Sequence, residues 1–307
     1  MARACSGAPA VTQVPAPIVL RRRRRSDADV IGLGAALVLA APVIMGIGYA
    51  VAASLGVVGP GASPAGIERI ERVLTDSATW RGLGLTLSVA ALATTLATAG
   101  AVLVAVIFRG AGWLDRLARG LAVLPLAVPH LIAGALGVWV LGQSGEISRV
   151  FAAAGAVHMP SDVPALVYDR WGLGLALTMA WKESAFLAVV VTALLATRSL
   201  EVEEAARTLG AGSVQTLVRV TWPILWRGLM PAVIAVFVFV AGSYEAAVLL
   251  APSDPLVLPL LVADRAADPD LARRGDAYVV SLLLLGIAVV AVVLHEWTRA
   301  RWEPLDR

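Results

Sequence analysis

The sequence is nearly without lysine, cysteine and histidine. Lys182 is the only lysine, Cys5 the only cysteine, and His130, His158 and His295 are the three histidines. A single lysine flanked by Trp181 and Glu183 excludes the glycine-rich loop ending in Gly-Lys-Ser/Thr that cradles nucleotide phosphates. One cysteine allows no internal disulfide and says nothing of the redox compartment. Three scattered histidines and one cysteine offer no metal-ligand spacing, so no metal site is expected. Also missing is the apolar/polar alternation that a membrane barrel needs.

What is present is apolar residues in long blocks. Of the 307 residues 59% are hydrophobic, and the mean hydropathy is +0.81, far above the roughly half-apolar composition of soluble domains. A helical span needs about 20 apolar residues. Blocks of that length lie near 30–55, 82–107, 118–141, 172–196, 228–251 and 277–295. An all-α polytopic membrane protein with six transmembrane helices is therefore expected, because only a helix or a closed barrel satisfies its own backbone in lipid. With the N-terminus on the cytoplasmic side, that side carries 16 arginines against 8 on the other, a bias that places both termini in the cytoplasm.

The five arginines at 21–25 stand just before the first block. That position reads as a topology anchor touching anionic membrane lipid, and not as a nucleic-acid contact. A cleavable signal peptide shares the order of basic then apolar residues, but its apolar core is about 7 to 15 residues and this one is longer. Residues 1–29, rich in Ala, Pro and Arg, are expected to be a disordered cytoplasmic tail, and 296–307 a second tail. Outside the membrane, Gly59-Pro60-Gly61 and Ser63-Pro64 signal turns, and Ile67 to Leu74 should form a short helix with its charges on one side. The third block opens Leu124-Pro125-Leu126-Ala127-Val128-Pro129-His130. Two prolines four residues apart remove backbone donors, so a bent or broken start is expected there, facing the bundle interior. Gly82 and Gly84, Gly134 and Gly137, and Gly172 and Gly174 would allow close helix approach.

Between the fourth and fifth blocks runs Glu204-Ala205-Ala206-Arg207-Thr208-Leu209-Gly210, then after nine residues Val220-Thr221-Trp222-Pro223. Glu201, Glu203 and Glu204 suit the positive end of a helix dipole. Gly210 and Gly212 allow a sharp turn, and Val214, Leu217 and Val218 give a second short helix an apolar face before Pro223. The segment resembles the EAA loop of bacterial ABC importer permeases: Glu-Ala-Ala, three residues, Gly, nine residues, Ile, one residue, Leu-Pro. Val220 and Trp222 replace the Ile and Leu, and both remain apolar.

The layout of 82–295 is similar to the type-1 (MetI-like) transmembrane domain of binding-protein-dependent importers, with Leu83-Gly84-Leu85-Thr86-Leu87 opening a span, the paired prolines Pro125 and Pro129, and the EAA loop at 198–227 two spans before the end. This resemblance implies a type I ABC importer permease fold, with the 30–55 helix preceding the shared domain. It implies a bacterial inner (plasma) membrane location, a second permease subunit, separate ATPase subunits that bind the ATP and Mg, and an extracytoplasmic solute-binding protein. No cofactor is implied for this chain itself. Glu204, Ala205, Ala206, Gly210, Val220 and Pro223 would be its ATPase-coupling positions. Trp181-Lys182-Glu183 and Gly242-Ser243-Tyr244-Glu245 look similar to segments of the polyamine, iron and thiamine permeases, a likeness that favours a heterodimer over a homodimer.

Ionisable residues inside spans are costly, about 2.5 to 3.5 kcal/mol even on insertion scales. Lys182, Glu183, Tyr244 and Glu245, with Pro125 and Pro129, are therefore candidates for the translocation path. Against that stands an interhelical pair, such as Lys182 with Glu245, that only fixes packing. An enzyme is not expected: Gly142-Gln143-Ser144-Gly145 imitates an intramembrane serine-protease motif, but His130 and His295 fall near the opposite membrane face, roughly 20 Å away by helical rise. An ion-coupled carrier or channel is the alternative; it would have no use for a docking helix, and no inverted repeat is evident.

Overall fold

A computed structural model describes residues 27–59, 66–198 and 200–302, and among them the chain forms only helices and turns. Helix α1 (Asp27–Ser54) carries Pro42 within it and exposes Leu37, Val38, Leu39 and Ile44. Residues up to Ile47 make one compact unit and Gly48–Arg307 another. The tail expected over 1–29 lies outside the described residues except for its last three, and these are helical. Each residue added to a formed helix gains a hydrogen bond, so the apolar run carries the helix back to Asp27. The turn signals at 60–65 also lie outside.

In the larger unit, α2 (Gly66–Thr75) is the short helix expected on the outer side. Its charges do not all share a side. Arg69 is buried, donates to the Ala53 carbonyl at 2.7 Å and lies 3.8 Å from Asp276, which Arg72 also approaches at 3.4 Å. Helix α3 (Ser77–Ile107) starts at Asp76, whose side chain accepts from the Ala78 amide at 2.9 Å, satisfying one of the orphan donors of a helix start.

The third block is not one helix. Helix α4 (Trp113–Val123) runs into a tight turn at Leu124–Ala127, and α5 (His130–Leu141) and α6 (Glu146–Ala153) follow; the two halves meet at 110°. The bend sits where the prolines predict it. Val128 is extended (φ −83°, ψ 121°), as the residue before a proline prefers, and α5 begins directly after Pro129.

Helix α7 (Leu173–Arg198) leads to α8 (Leu200–Thr208), α9 (Ser213–Thr216), a widened π-type turn at Leu217–Thr221 and α10 (Trp222–Gly242). Two expectations change here. The second short helix does not stop before Pro223 but continues through the widened turn into α10. A proline lacks the N–H of a regular helix and crowds the preceding turn; the π turn lies where that mismatch must be absorbed. The span expected over 228–251 ends at Gly242, where Ser243 is extended, and only a single turn, α11 (Ala247–Leu250), follows. Helices α12 (Leu258–Ala266), α13 (Leu271–Arg274) and α14 (Asp276–Trp302) complete the order. Helix α14 overruns the tail expected from 296 as far as Trp302, and 303–307 lie outside the described residues. Five helical stretches of the described residues are long and apolar enough to cross a membrane, six if the bent pair makes one crossing.

The core lies between α3 and α7. A column of buried alanines on α3 (Ala90, Ala93, Ala97, Ala101 and Ala105) meets Ala176, Met179, Leu187 and Val191 of α7. Small side chains at helical spacing let two backbones approach closely, which is how helices gain packing energy where lipid removes the hydrophobic drive. Gly137 of α5 serves the same purpose: a Cβ there would stand 2.4 Å from Thr178 Oγ1 of α7. Gly134 is similarly tight against Ala246 and Leu249, whereas Gly84 faces open space.

Candidate functional site

The Glu-Ala-Ala segment is the helix α8, whose ending explains its glycine. Gly210 has φ +87° with open space where a Cβ would go, so only the backbone conformation demands glycine. The Gly210 amide donates to the Arg207 carbonyl at 2.9 Å and the Ala211 amide to Ala206 at 3.0 Å, the paired bonds of a Schellman cap. The chain then reverses into α9. Glu204 and Ala205 are exposed, Ala206 is half-buried, Val220 is half-buried in the widened turn, and Pro223 is exposed at the start of α10. Beside them Leu209 is 88% exposed and Val214 75%, with Val218 also open. An acidic residue and an apolar patch thus face outward at one end of the α7–α10 hairpin.

Glu203 does the opposite. It is buried, and its carboxylate accepts both guanidinium nitrogens of Arg109 at 3.1 Å and the Thr221 hydroxyl at 2.7 Å. Sequence reasoning gave Glu203 to the helix dipole and missed Arg109 and Thr221. The signal was the acidic pair itself: neighbours on a helix point about 100° apart, so Glu203 and Glu204 cannot both face solvent squarely. Arg109 follows the end of α3 in a loop that is itself held. Arg119 of α4 donates to the carbonyls of Phe108 and Gly110, and the Gly112 amide donates to Asp115 at 3.0 Å.

A second polar cluster lies within the helices. Glu183 of α7 is buried with its carboxylate 3.0 Å from Nε2 of His130, the first residue of α5. The His130 ring packs on Phe239 of α10 with centroids 4.8 Å apart. The break at Pro129 is thereby tied to the fourth and fifth long helices. Lys182 is also buried, 4% exposed, and among the described residues it has no hydrogen-bond or ion-pair partner. The pair of Lys182 with Glu245 does not form. Tyr244 and Glu245 are exposed in the break after α10, and Glu183 turns to His130 instead. Pro125 is buried in the turn before the bend, and Pro129 is exposed.

Between α3 and the widened turn runs an apolar groove of about 530 Å³, lined by Thr94, Thr98, Leu103, Val218, Trp222 and Trp226 among others. Trp222 and Trp226 stack along it at 5.5 Å. Among the described residues no three His, Cys, Asp or Glu side chains gather as a metal site would require.

The fold has known counterparts. The chain superposes on a crystal structure of a bacterial alginate ABC transporter in complex with an alginate pentasaccharide-bound periplasmic protein, with a TM-score of 0.71 over 92% of this chain and 99% of that one, at 16% identity. An amino acid ABC transporter solved with histidines gives 0.52 over 75% of this chain. In sequence it is 27% identical over 215 residues to the inner membrane ABC transporter permease protein YnjC of Escherichia coli, and 28% over 183 to the sulfate transport system permease protein CysT of a Synechocystis. Those matches take in 69% and 57% of this chain but 40% and 59% of the relatives, so the chain spans about half the length of these two. The molybdenum transport system permease protein ModB of Mycobacterium tuberculosis is 29% identical over 231 residues, 74% of this chain and 81% of that protein. Residues 97–303 match the family described as the binding-protein-dependent transport system inner membrane component. That stretch takes in the alanine column from Ala97 onward, the proline break and the whole of α8 to α10, and the chain belongs to this family of ABC transporter permeases.

Proposed function

We propose that the chain is the permease subunit of an ATP-driven importer, forming half of a solute path and taking its drive from a separate ATPase through α8 and α9. One observation carries this reading: Glu204, Leu209, Val214 and Val218 face outward together at one end of the bundle, on a segment whose inner side is anchored. An exposed apolar patch beside a carboxylate suits a groove on a partner, where burial stabilises by roughly 25 cal/mol per Å² of apolar surface. The partner supplies ATP and Mg, since Lys182 cannot sit in a phosphate loop. A second, nonidentical permease subunit and an extracytoplasmic binding protein complete the assembly. Both termini lie in the cytoplasm of a bacterial inner membrane, the orientation that the arginine bias favours.

The polyamine, iron or thiamine class that Trp181-Lys182-Glu183 and Gly242-Ser243-Tyr244-Glu245 suggest by resemblance has a competitor. Sulfate and molybdenum transport permeases stand among the relatives, and Lys182 offers a cation with no hydrogen-bond or ion-pair partner among the described residues, on a buried side chain whose ammonium nitrogen is not sealed off, which suits an oxyanion and opposes a polyamine. The ATP-driven reading is tested by purifying the intact chain in mild detergent and assaying the complex for ATP hydrolysis. A hydrolysing subunit should accompany the parent chain and be lost when Leu209 and Val214 are both changed to Asp. Recovery of the folded parent chain without any such subunit would favour the ion-coupled carrier or channel. Uptake of molybdate, sulfate and putrescine by the same complex separates the solute classes.

A further inference from the structure

We propose that Arg109, Glu203 and Thr221 form a brace that makes the inner end of α3 move with α8, so that a push on α8 reaches three long helices and not two. The proposal rests on α8 being the ATPase-docking element. Chain connectivity joins α8 to α7 before it and, through α9 and the widened turn, to α10 after it. Arg109 ties it to α3 as well.

The chemistry of the contact suits a mechanical tie. A guanidinium meeting a carboxylate through two parallel bonds, here both 3.1 Å, resists rotation as well as separation, which a lysine point charge would not. Glu203 is buried, so water screens the pair less than it would a surface bridge. Thr221, 1% exposed, donates to the same carboxylate at 2.7 Å from within the widened turn that begins α10. The far end is fixed too: Arg119 of α4 holds the carbonyls on either side of Arg109, and Asp115 holds the Gly112 amide. A flexible loop would absorb a displacement, whereas a pinned one transmits it. Helix α3 is the helix packed along α7 through the alanine column, so the brace closes, at the inner end, an arrangement already closed in the core.

The test measures whether α3 and α8 stay together through the nucleotide cycle. Spin labels are placed at Ile107 and Thr208, both exposed, as Ile107→Cys and Thr208→Cys in a Cys5→Ser background. Distances are recorded in the complex with its copurifying ATPase, without nucleotide and after ATP with vanadate. In the parent the distance should hold between the two states. In Glu203→Gln and Thr221→Val it should shift by about 2 Å or broaden on trapping, while ATP hydrolysis continues, and Arg109→Lys should fall between. Brace variants that bind the ATPase, hydrolyse ATP and keep the parent's constant distance would overturn the proposal, as would a parent distance that itself changes. If Glu203→Gln does not fold, Thr221→Val and Arg109→Lys decide the matter. Absence of any hydrolysing subunit from the folded parent would sink the docking reading and the brace with it.

Discussion

Helices α7 and α8 each carry two adjacent ionisable residues, and the two helices use them differently. On α8 the step of about 100° between neighbours turns Glu203 inward, where Arg109 and Thr221 take it up, and leaves Glu204 in solvent. On α7 the same step separates Lys182 and Glu183, yet both are buried, and among the described residues only Glu183 has a partner, in His130. One helix divides its charges between anchoring and display; the other anchors one and keeps the second inside. Adjacency in a helix thus assigns neighbouring residues to different tasks, and burial then decides which task needs a partner.

Glu203→Ala should break the contrast most strongly. Removing the buried carboxylate takes a charge-assisted bond from the buried Thr221 hydroxyl and two from the partly exposed Arg109, at about 2 to 3 kcal/mol, and chemical denaturation of the purified chain in detergent would read that loss. The corresponding change on α7 is smaller: Glu183→Ala should cost about 1 to 2 kcal/mol by leaving His130 without its hydrogen bond. Lys182→Met keeps the stem and removes the charge, so the melting temperature should hold or rise. An equal fall for Lys182→Met and Glu183→Ala would mean that Lys182 is anchored after all. Gly210→Ala comes next, at about 1 kcal/mol from the left-handed backbone alone, since no neighbour obstructs a Cβ. A loss for Gly210→Asn smaller than that for Gly210→Ala, despite the larger side chain, would confirm that backbone and not space sets this position.

The smallest effect belongs to the loop between α6 and α7, which takes no part in either helix. The amides of Met159 and His158 donate to Asp162 at 2.9 and 3.0 Å and hold its carboxyl below the usual carboxylate range. A lowered folded value means that this contribution is present above the ordinary aspartate pKa and is lost as pH falls through the lowered one. The protection of those two amides, taken relative to the intrinsic exchange rate at each pH, should fall on acidification in the parent and show no such pH step in Asp162→Asn.

Much of this was legible in the sequence. Block length located the long helices, Pro125 and Pro129 located the break, and the Glu-Ala-Ala spacing located α8 and its glycine cap. Local chemistry sets each of these: apolar length, missing amide donors, a left-handed turn. What stayed hidden depends on distant residues meeting. Glu203 finds Arg109 across 94 positions and Glu183 finds His130 across 53, and no period or propensity encodes such encounters. The end of the fifth span was misplaced because 243–251 are as apolar as a helix; the extended Ser243 and the exposed Glu245 end it. The second short helix is cut at Pro223 in the sequence reading because a proline reads as a stop, and a widened turn lets the helix pass.

The division of labour on α8 is tested most directly by treating Glu203→Gln and Glu204→Lys side by side, measuring in each the melting temperature of the chain and the amount of ATP-hydrolysing subunit recovered with it. The account predicts that Glu204→Lys keeps the melting temperature and loses the subunit, whereas Glu203→Gln lowers the melting temperature and keeps the subunit. The reverse pattern, or loss of both properties in both variants, would contradict it.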